Sequence, residues 1–203
     1  MADALRQIAE RGSYVNRDGD RYSLSLSQNL AQLARSRADS YHDDEILETL
    51  TSVMREEKDK GVFARVHRMP ATSADVEDTP TAGLVVFGPD RPFRKAGSGK
   101  PLSPAEATIH DFLQRRGTAA RIHKNALVFA APDADRCDTL LRAVRSWKAW
   151  KSVVDGADDL NLAPNAVANA RSREDQARQT MRGAIKEAYR WVLNPAQDAG
   201  APE

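Results

Sequence analysis

The sequence predicts an α/β protein: a winged-helix-like helix–hairpin, then a small α/β sheet domain with long C-terminal helices. Three observations carry this reading. Asp18-Gly19 sits between the strand-like arms Tyr14–Arg17 and Asp20–Leu24, and such a pair marks a two-residue hairpin because both central residues need positive φ. Two wholly apolar runs, Leu84-Val85-Val86-Phe87 and Ala126–Ala131, are each followed closely by Pro-Asp. Their length and composition fit strands buried on both faces. Two long stretches, 134–154 and 164–193, repeat apolar residues every 3.6 positions, as amphipathic helices do.

Taken in order, Leu5, Ile8 and Ala9 stand at helical spacing and Gly12 ends the pattern. Residues 1–27 thus read as a helix plus hairpin, the closing part of a winged-helix domain. Its wing would carry Arg17 and Arg21 towards phosphate. Residues 28–61 read as a charged helical linker, with stripes Leu30–Leu33–Ala34 and Ile46–Leu47–Leu50–Val53–Met54 broken near Tyr41–Asp44. Lys58 and Lys60 suit its last turn and Gly61 the position after it.

Residues 62–155 form the predicted small α/β domain. Val62–Met69 alternates and predicts a strand, with Phe63 and Arg65 on one face and Val62, Ala64 and Val66 on the other. Residues 70–82, rich in Pro, Thr and Asp, predict a mobile loop, and 89–101 a basic one. The clearest local signal opens a helix over 103–116. Ser103 caps, Pro104 fits the first helical position and Glu106 completes a capping box. Ile109, Phe112 and Leu113 make its buried stripe. The C-terminal helix belongs to 156–193, and the Pro/Gly/Ala-rich 194–203 reads as a disordered tail.

Composition narrows the chemistry. The 203 residues carry a formal net charge of +1, yet the charge is segregated. Residues 38–80 hold eleven acidic and five basic side chains, a net of −6. Residues 91–151 hold thirteen basic and five acidic ones, a net of +8. Such segregation marks either a polyanion-binding face or two stretches that attract each other within the fold, and the second is the commoner case. No apolar run reaches the length of a membrane span, so no membrane partner is expected. The N-terminus has no signal-peptide pattern, and the expected compartment is the cytoplasm. A lone cysteine, Cys137, excludes an internal disulfide.

A phosphate loop needs G-x-x-x-x-G-K-[ST], so that backbone N–H groups wrap the phosphates and a hydroxyl holds magnesium. In Ala96-Gly97-Ser98-Gly99-Lys100-Pro101 the first glycine is replaced by Arg94 and the hydroxyl residue by Pro101. His42, His67, His110 and His123 lack metal-ligand spacing, and the neighbours His110 and Asp111 point apart on a helix. Cys137 near a helix start reads better as a core thiol than a reactive one. Trp147 and Trp150 with Lys148 and Lys151 offer a basic-aromatic surface, although Trp147 falls on the core stripe. The expectation is no catalytic residue, no metal and no cofactor. The candidate nucleic-acid or docking contacts are Arg17, Arg21, Arg94, Lys95, Lys100, Arg121, Lys124, Lys148 and Lys151.

An ordered set of segments resembles a family of large bacterial and archaeal AAA-type ATPases of poorly defined function. The set runs from Asp3-Ala4-Leu5, Tyr14-Val15, Arg17–Tyr22 and Gln28-Asn29-Leu30 through Phe63–His67, Leu84–Asp90 and Lys124–Asp133. It ends with Ala143-Val144-Arg145, Ala149-Trp150, Leu160-Asn161-Leu162, Ala188–Leu193 and Pro195-Ala196-Gln197. The match falls after the ATPase core, whose nucleotide motif this chain lacks. Departures are Ser23–Ser25, where relatives carry bulkier strand residues, and Ala163, where a helix cap worth about 1 kcal/mol would be expected. The resemblance implies a non-catalytic accessory module, a fragment of a larger protein. Its partner would be an ATPase core encoded upstream, or another protein, and members of the family often lie near phage-defence or DNA-modification genes. A nucleic-acid-binding module using the hairpin wing and the basic 91–151 half is the alternative. Trp191 and Val192 are then candidates for an apolar patch left exposed by missing neighbours.

Overall fold

The computed structural model describes residues 15–18, 21–24, 29–95 and 101–195. The helix expected over residues 5–9 and the near-miss phosphate loop at 96–100 lie outside them. Within them the chain is an α/β protein. It divides into two compact units, neither of them a single run of chain. One joins residues up to 46 with Arg142–Gly183, and the other joins Leu47–Leu141 with residues from Ala184 on.

The hairpin forms, as β1 (Val15–Asp18) and β2 (Arg21–Leu24). Its closing pair is Asp18↔Arg21. Asp18, which the pattern suggested as a turn residue, therefore belongs to β1.

In the first unit, α1 (Leu30–Ser40) starts at Asn29, whose side chain accepts the Gln32 N–H. α2 (Asp43–Glu56) follows after two residues, and only its start, to Ile46, belongs to this unit. The break holds because His42 N–H donates to Glu45 Oε2 at 2.9 Å, the return half of a capping box. That backbone bond leads, against the opposing effect of burial, in lowering the Glu45 carboxyl below its usual range, and Lys148 adds to it. α2 stops at Glu56, so Lys58 and Lys60 lie beyond the helix rather than in its last turn. A small core joins Ala34, Val153 and Ala170, with Leu33, Trp150 and Leu162 packed against it. It rests on α4 (Cys137–Asp155) and α5 (Pro164–Ala188).

The second unit is built on a four-stranded sheet in the order β3-β4-β7-β8. β3 (Arg65–Arg68), β4 (Gly83–Val86) and β7 (Leu127–Ala131) are parallel, and β8 (Trp191–Leu193) runs antiparallel to β7. The connection from β4 to β7 carries α3 (Pro104–Gln114), which packs Ala105 and Phe112 onto Val85, Phe87, Leu127 and Phe129. Phe112 meets Phe87 edge-on at 5.5 Å, and Phe87 stacks on Phe129 at 5.7 Å. These geometries favour aromatic pairs beyond simple burial. Gly88, just after β4, lies close under two side-chain ends, which would have to shift to admit a side chain. A Cβ there would come within 2.6 Å of the Met69 methyl and 2.5 Å of Asp90 Oδ1.

Several expected boundaries move. The strand over 62–69 shortens to β3, and Val62, expected within it, lies before its start and is 94% exposed. The helix over 103–116 ends at Gln114. Arg115-Arg116 form β5 and pair with Ala119-Ala120, β6. Gly117, the first of the two connecting residues, has φ of +59°, as a primed hairpin turn requires. Residues 134–136 form a 3-10 turn leading into α4. The largest change is at the C-terminal helix. It ends at Ala188, not 193, and Trp191–Leu193 join the sheet. Tertiary bonds override the helical pattern there. Asp133 N–H donates to Ala188 O at 2.8 Å. Tyr189 Oη donates to Phe87 O at 2.8 Å, and Trp191 Nε1 to Asp133 Oδ2 at 3.1 Å. The Trp191 ring lies 4.8 Å from Phe93, so Trp191 belongs to the core. Val192 alone of the pair is exposed, at 68%.

The α3 cap is present in full: Ser103 Oγ accepts from Glu106 N–H, and Glu106 Oε2 accepts from Ser103 N–H at 2.7 Å. Ser103→Ala is expected to lower stability by about 1 kcal/mol. Urea titration should show a lower midpoint with an unchanged slope. An unchanged midpoint would remove the cap from the forces that start α3.

Candidate functional site

The +8 stretch is largely committed to contacts within the protein. In the first unit Arg145 Nη1 donates to Ala38 O at 3.2 Å and to Tyr41 O, while its Nη2 meets Asp43 Oδ1 at 2.5 Å. This satisfies carbonyls that the end of α1 leaves open. Lys148 Nζ donates to Glu45 O at 3.2 Å and lies 4.8 Å from the Tyr41 ring centroid. Lys151 pairs with Asp155 one turn away. Trp147 is buried and donates to Glu174 at 3.3 Å, and Trp150 packs on the small core. The basic-aromatic surface expected from these four residues is therefore a helix-packing face with salt bridges along its flank.

In the second unit Arg121 is the extreme case. It was placed among the polyanion contacts, but it is only 3% exposed. Its Nε donates to Phe112 O at 2.6 Å, its Nη1 to Glu77 O at 3.1 Å, and its Nη2 to Val76 O at 3.1 Å and Ser73 O at 3.4 Å. Burial pulls its pKa down, against the pull of Asp78. No solution phosphate reaches it. Alongside, Asp78 accepts from Ile122 N–H at 2.7 Å and His123 N–H at 2.9 Å. Burial raises the Asp78 carboxyl, but these two bonds and Arg121 outweigh it and hold it below the usual range. The 70–82 segment, expected to be mobile, is thus an anchored crossover containing a short 3-10 turn, Ser73–Asp75.

The remaining candidates lie in both units. Arg94 is exposed and pairs with Asp135 at 2.6 Å. Lys95 and Lys124 are exposed. Arg17 and Arg21 sit on the hairpin strands, where only the backbone is described, and Lys100 lies outside the described residues. Lys148 and Lys151 belong to the first unit, and Arg94, Lys95, Arg121 and Lys124 to the second. His67 lies on the edge strand β3, and burial lowers its pKa.

What sequence reasoning missed is a cleft in the second unit. It holds about 550 Å³ and is lined by Thr72, Arg91, Thr108, Asp111, Phe112 and Arg115, among others. The 3-10 turn, α3 and the β5–β6 hairpin form its walls. Arg91 and Arg115 were counted only in the charge sum. The one signal available was Arg115-Arg116-Gly117, a basic pair before a turn glycine, which the predicted helix absorbed.

Cys137 is a core thiol. It is 7% exposed, its Sγ lies 3.4 Å from Asp133 O, and burial, followed by the nearby carboxylates of Asp133, Asp138 and Asp90, pushes it up to about 11. Burial also raises the Tyr189 hydroxyl. Among the described residues, no group of three or more His, Cys, Asp or Glu side chains is placed to hold a metal ion. No described helix is long and apolar enough to cross a membrane.

Two outcomes follow. Arg121→Ala leaves four carbonyls without their donor and is expected to cost about 3 kcal/mol or more. Arg121→Lys should recover only part, because a compact ammonium does not span the same acceptors. A urea midpoint within error of the parent would contradict this. Native Cys137, with a thiolate fraction of about one in a thousand at pH 8, should react with a thiol reagent far more slowly than the urea-unfolded chain. Since its folded pKa lies above the unfolded value, its stabilising contribution is complete below about pH 9. That contribution is lost as pH rises towards 11, and rapid labelling of folded protein at pH 8 would refute the burial argument.

Comparison with protein-family models, with curated proteins and with solved structures finds no match to this chain.

Proposed function

We propose that this chain is a non-catalytic interaction module, akin to the region that follows the ATPase core in large bacterial and archaeal AAA-type ATPases. It works in the cytoplasm, docked on such a core or on another protein partner, and the setting the resemblance implies is phage defence. One observation carries the reading: the segments that bear the resemblance coincide with the strands of one sheet. Phe63–His67 overlaps β3, Leu84–Asp90 most of β4, Lys124–Asp133 contains β7, and Ala188–Leu193 contains β8. Segments far apart in sequence that meet in one sheet are what a shared fold would preserve. The commitment of Arg121, Arg145 and Lys148 to internal acceptors supports a protein partner over a polyanion. A single buried thiol suits a reducing compartment.

Co-expression with the ATPase core encoded upstream is the test. The two chains are expected to co-elute in size-exclusion chromatography, and calorimetric titration of ATP into the module alone should show no binding in the micromolar range. Micromolar ATP affinity, or failure to associate with the core, would overturn the proposal. Salt-dependent binding of duplex DNA by the module alone would overturn it in favour of nucleic acid.

A further inference from the structure

We propose that the cleft between the 3-10 turn, α3 and the β5–β6 hairpin binds a small organic phosphate, with Arg115 and Arg91 as its anion contacts. The volume, about 550 Å³, lies in the range of small-molecule sites. Its walls are fixed to one another before any ligand arrives. Arg121 ties the 3-10 turn to the α3 carbonyl of Phe112. Gly117 N–H donates to the buried Ser73 Oγ at 3.1 Å, which ties the hairpin to the turn. Arg91 Nη1 and Nη2 donate to Pro70 O and Ala71 O, each at 2.7 Å. A site held this way does not have to be ordered when the ligand binds.

The two arginines have different roles. Arg91 is held rigidly: beyond the two carbonyls its Nε lies 3.2 Å from Asp90 Oδ2, and the guanidinium carbon is 5.8 Å from the Phe87 ring centroid. These contacts engage three of the five N–H groups a guanidinium carries. The other two are assigned to the ligand. Arg115 is the movable one. It pairs with Asp111 at 2.5 Å, but the two side chains are 60% and 36% exposed. An ion pair that open to water contributes little, so Arg115 can exchange the carboxylate for a ligand oxygen at small cost. The charged side chains on the lining are Arg91, Arg115 and Asp111, an excess of one positive charge. Two guanidiniums with planar donor forks match a phosphate better than a single point charge. Ala71, Ala107 and Phe112 on the same lining supply the apolar surface that an organic body would cover. Inorganic phosphate alone would leave that surface unused.

Calorimetry on the full chain at low salt, with phenyl phosphate, inorganic phosphate and phenol as probes, tests the assignment. Phenyl phosphate should bind saturably, inorganic phosphate more weakly and phenol not measurably. Arg115→Ala, a change at an exposed hairpin position, should weaken phenyl phosphate by about tenfold or more. Asp111→Asn should tighten it severalfold, because the competing carboxylate loses its charge while α3 keeps its residue count. Raising the salt should weaken binding to the parent. No saturable binding of phenyl phosphate, equal binding of phenol, or an affinity unchanged by Arg115→Ala would each overturn the proposal. Circular dichroism of both variants, expected to match the parent, separates a lost contact from a lost fold.

Discussion

The second unit depends on a single buried guanidinium. β3 and β4 are adjacent and parallel, so the chain leaving β3 must return to the same end before β4 begins. It does so through 69–82, an irregular crossover whose backbone carbonyls have no sheet partner. Buried carbonyls without partners are costly. Arg121 answers this from the far side of α3, reaching Ser73, Val76 and Glu77 in the crossover and Phe112 in the helix. A buried charge is tolerable only where its donors are met, and here the carbonyls and the guanidinium satisfy each other. Asp78 completes the arrangement by accepting the N–H groups of the two residues that follow Arg121.

The same logic explains the segregated charge. Acidic and basic stretches that balance over the whole chain meet again inside each unit. Asp43 and Glu45 face Arg145 and Lys148, while Asp78 lies beside Arg121 in the second unit. Much of the positive charge goes to carbonyl oxygens rather than to carboxylates. Arg91, Arg121 and Arg145 each close an end or a crossover that the backbone leaves open. A surplus of +8 in the sequence therefore describes scaffolding more than surface. The cleft beside α3 is the exception, since there two arginines line one concave surface.

Much of the fold was legible in the sequence for reasons that are local. The Ser103–Glu106 capping box acts over three residues, and it starts α3 where the pattern places it. The apolar runs at 84–87 and 126–131 become β4 and β7, although β7 is fully buried on one face only and half-buried on the other. The hairpin, the break after α1 and the core role of Trp147 likewise follow from neighbours in the chain. The failures share a cause. Ala188–Val192 keeps the helical period, yet Trp191 turns to Phe93 and Asp133, partners that the chain brings close only after the sheet has formed. Val62 alternates correctly but extends past the end of β3. Arg115 and Arg116 continue a helical run until Gly117 turns the chain back on itself.

Local physics thus determined the elements: which stretches are helical, where capping starts them, which apolar runs become the central strands, and that one cysteine forms no internal disulfide. Only the tertiary structure decided that the last apolar turn joins the sheet as β8, that Arg121 is buried, and that Arg91 and Arg115 line one cleft. The reason is the range of the interactions. Capping and periodicity act within a few residues, whereas a buried guanidinium selects acceptors forty or more positions away in sequence. Its role follows from where the fold places those carbonyls, and their positions are not written in the residues beside it.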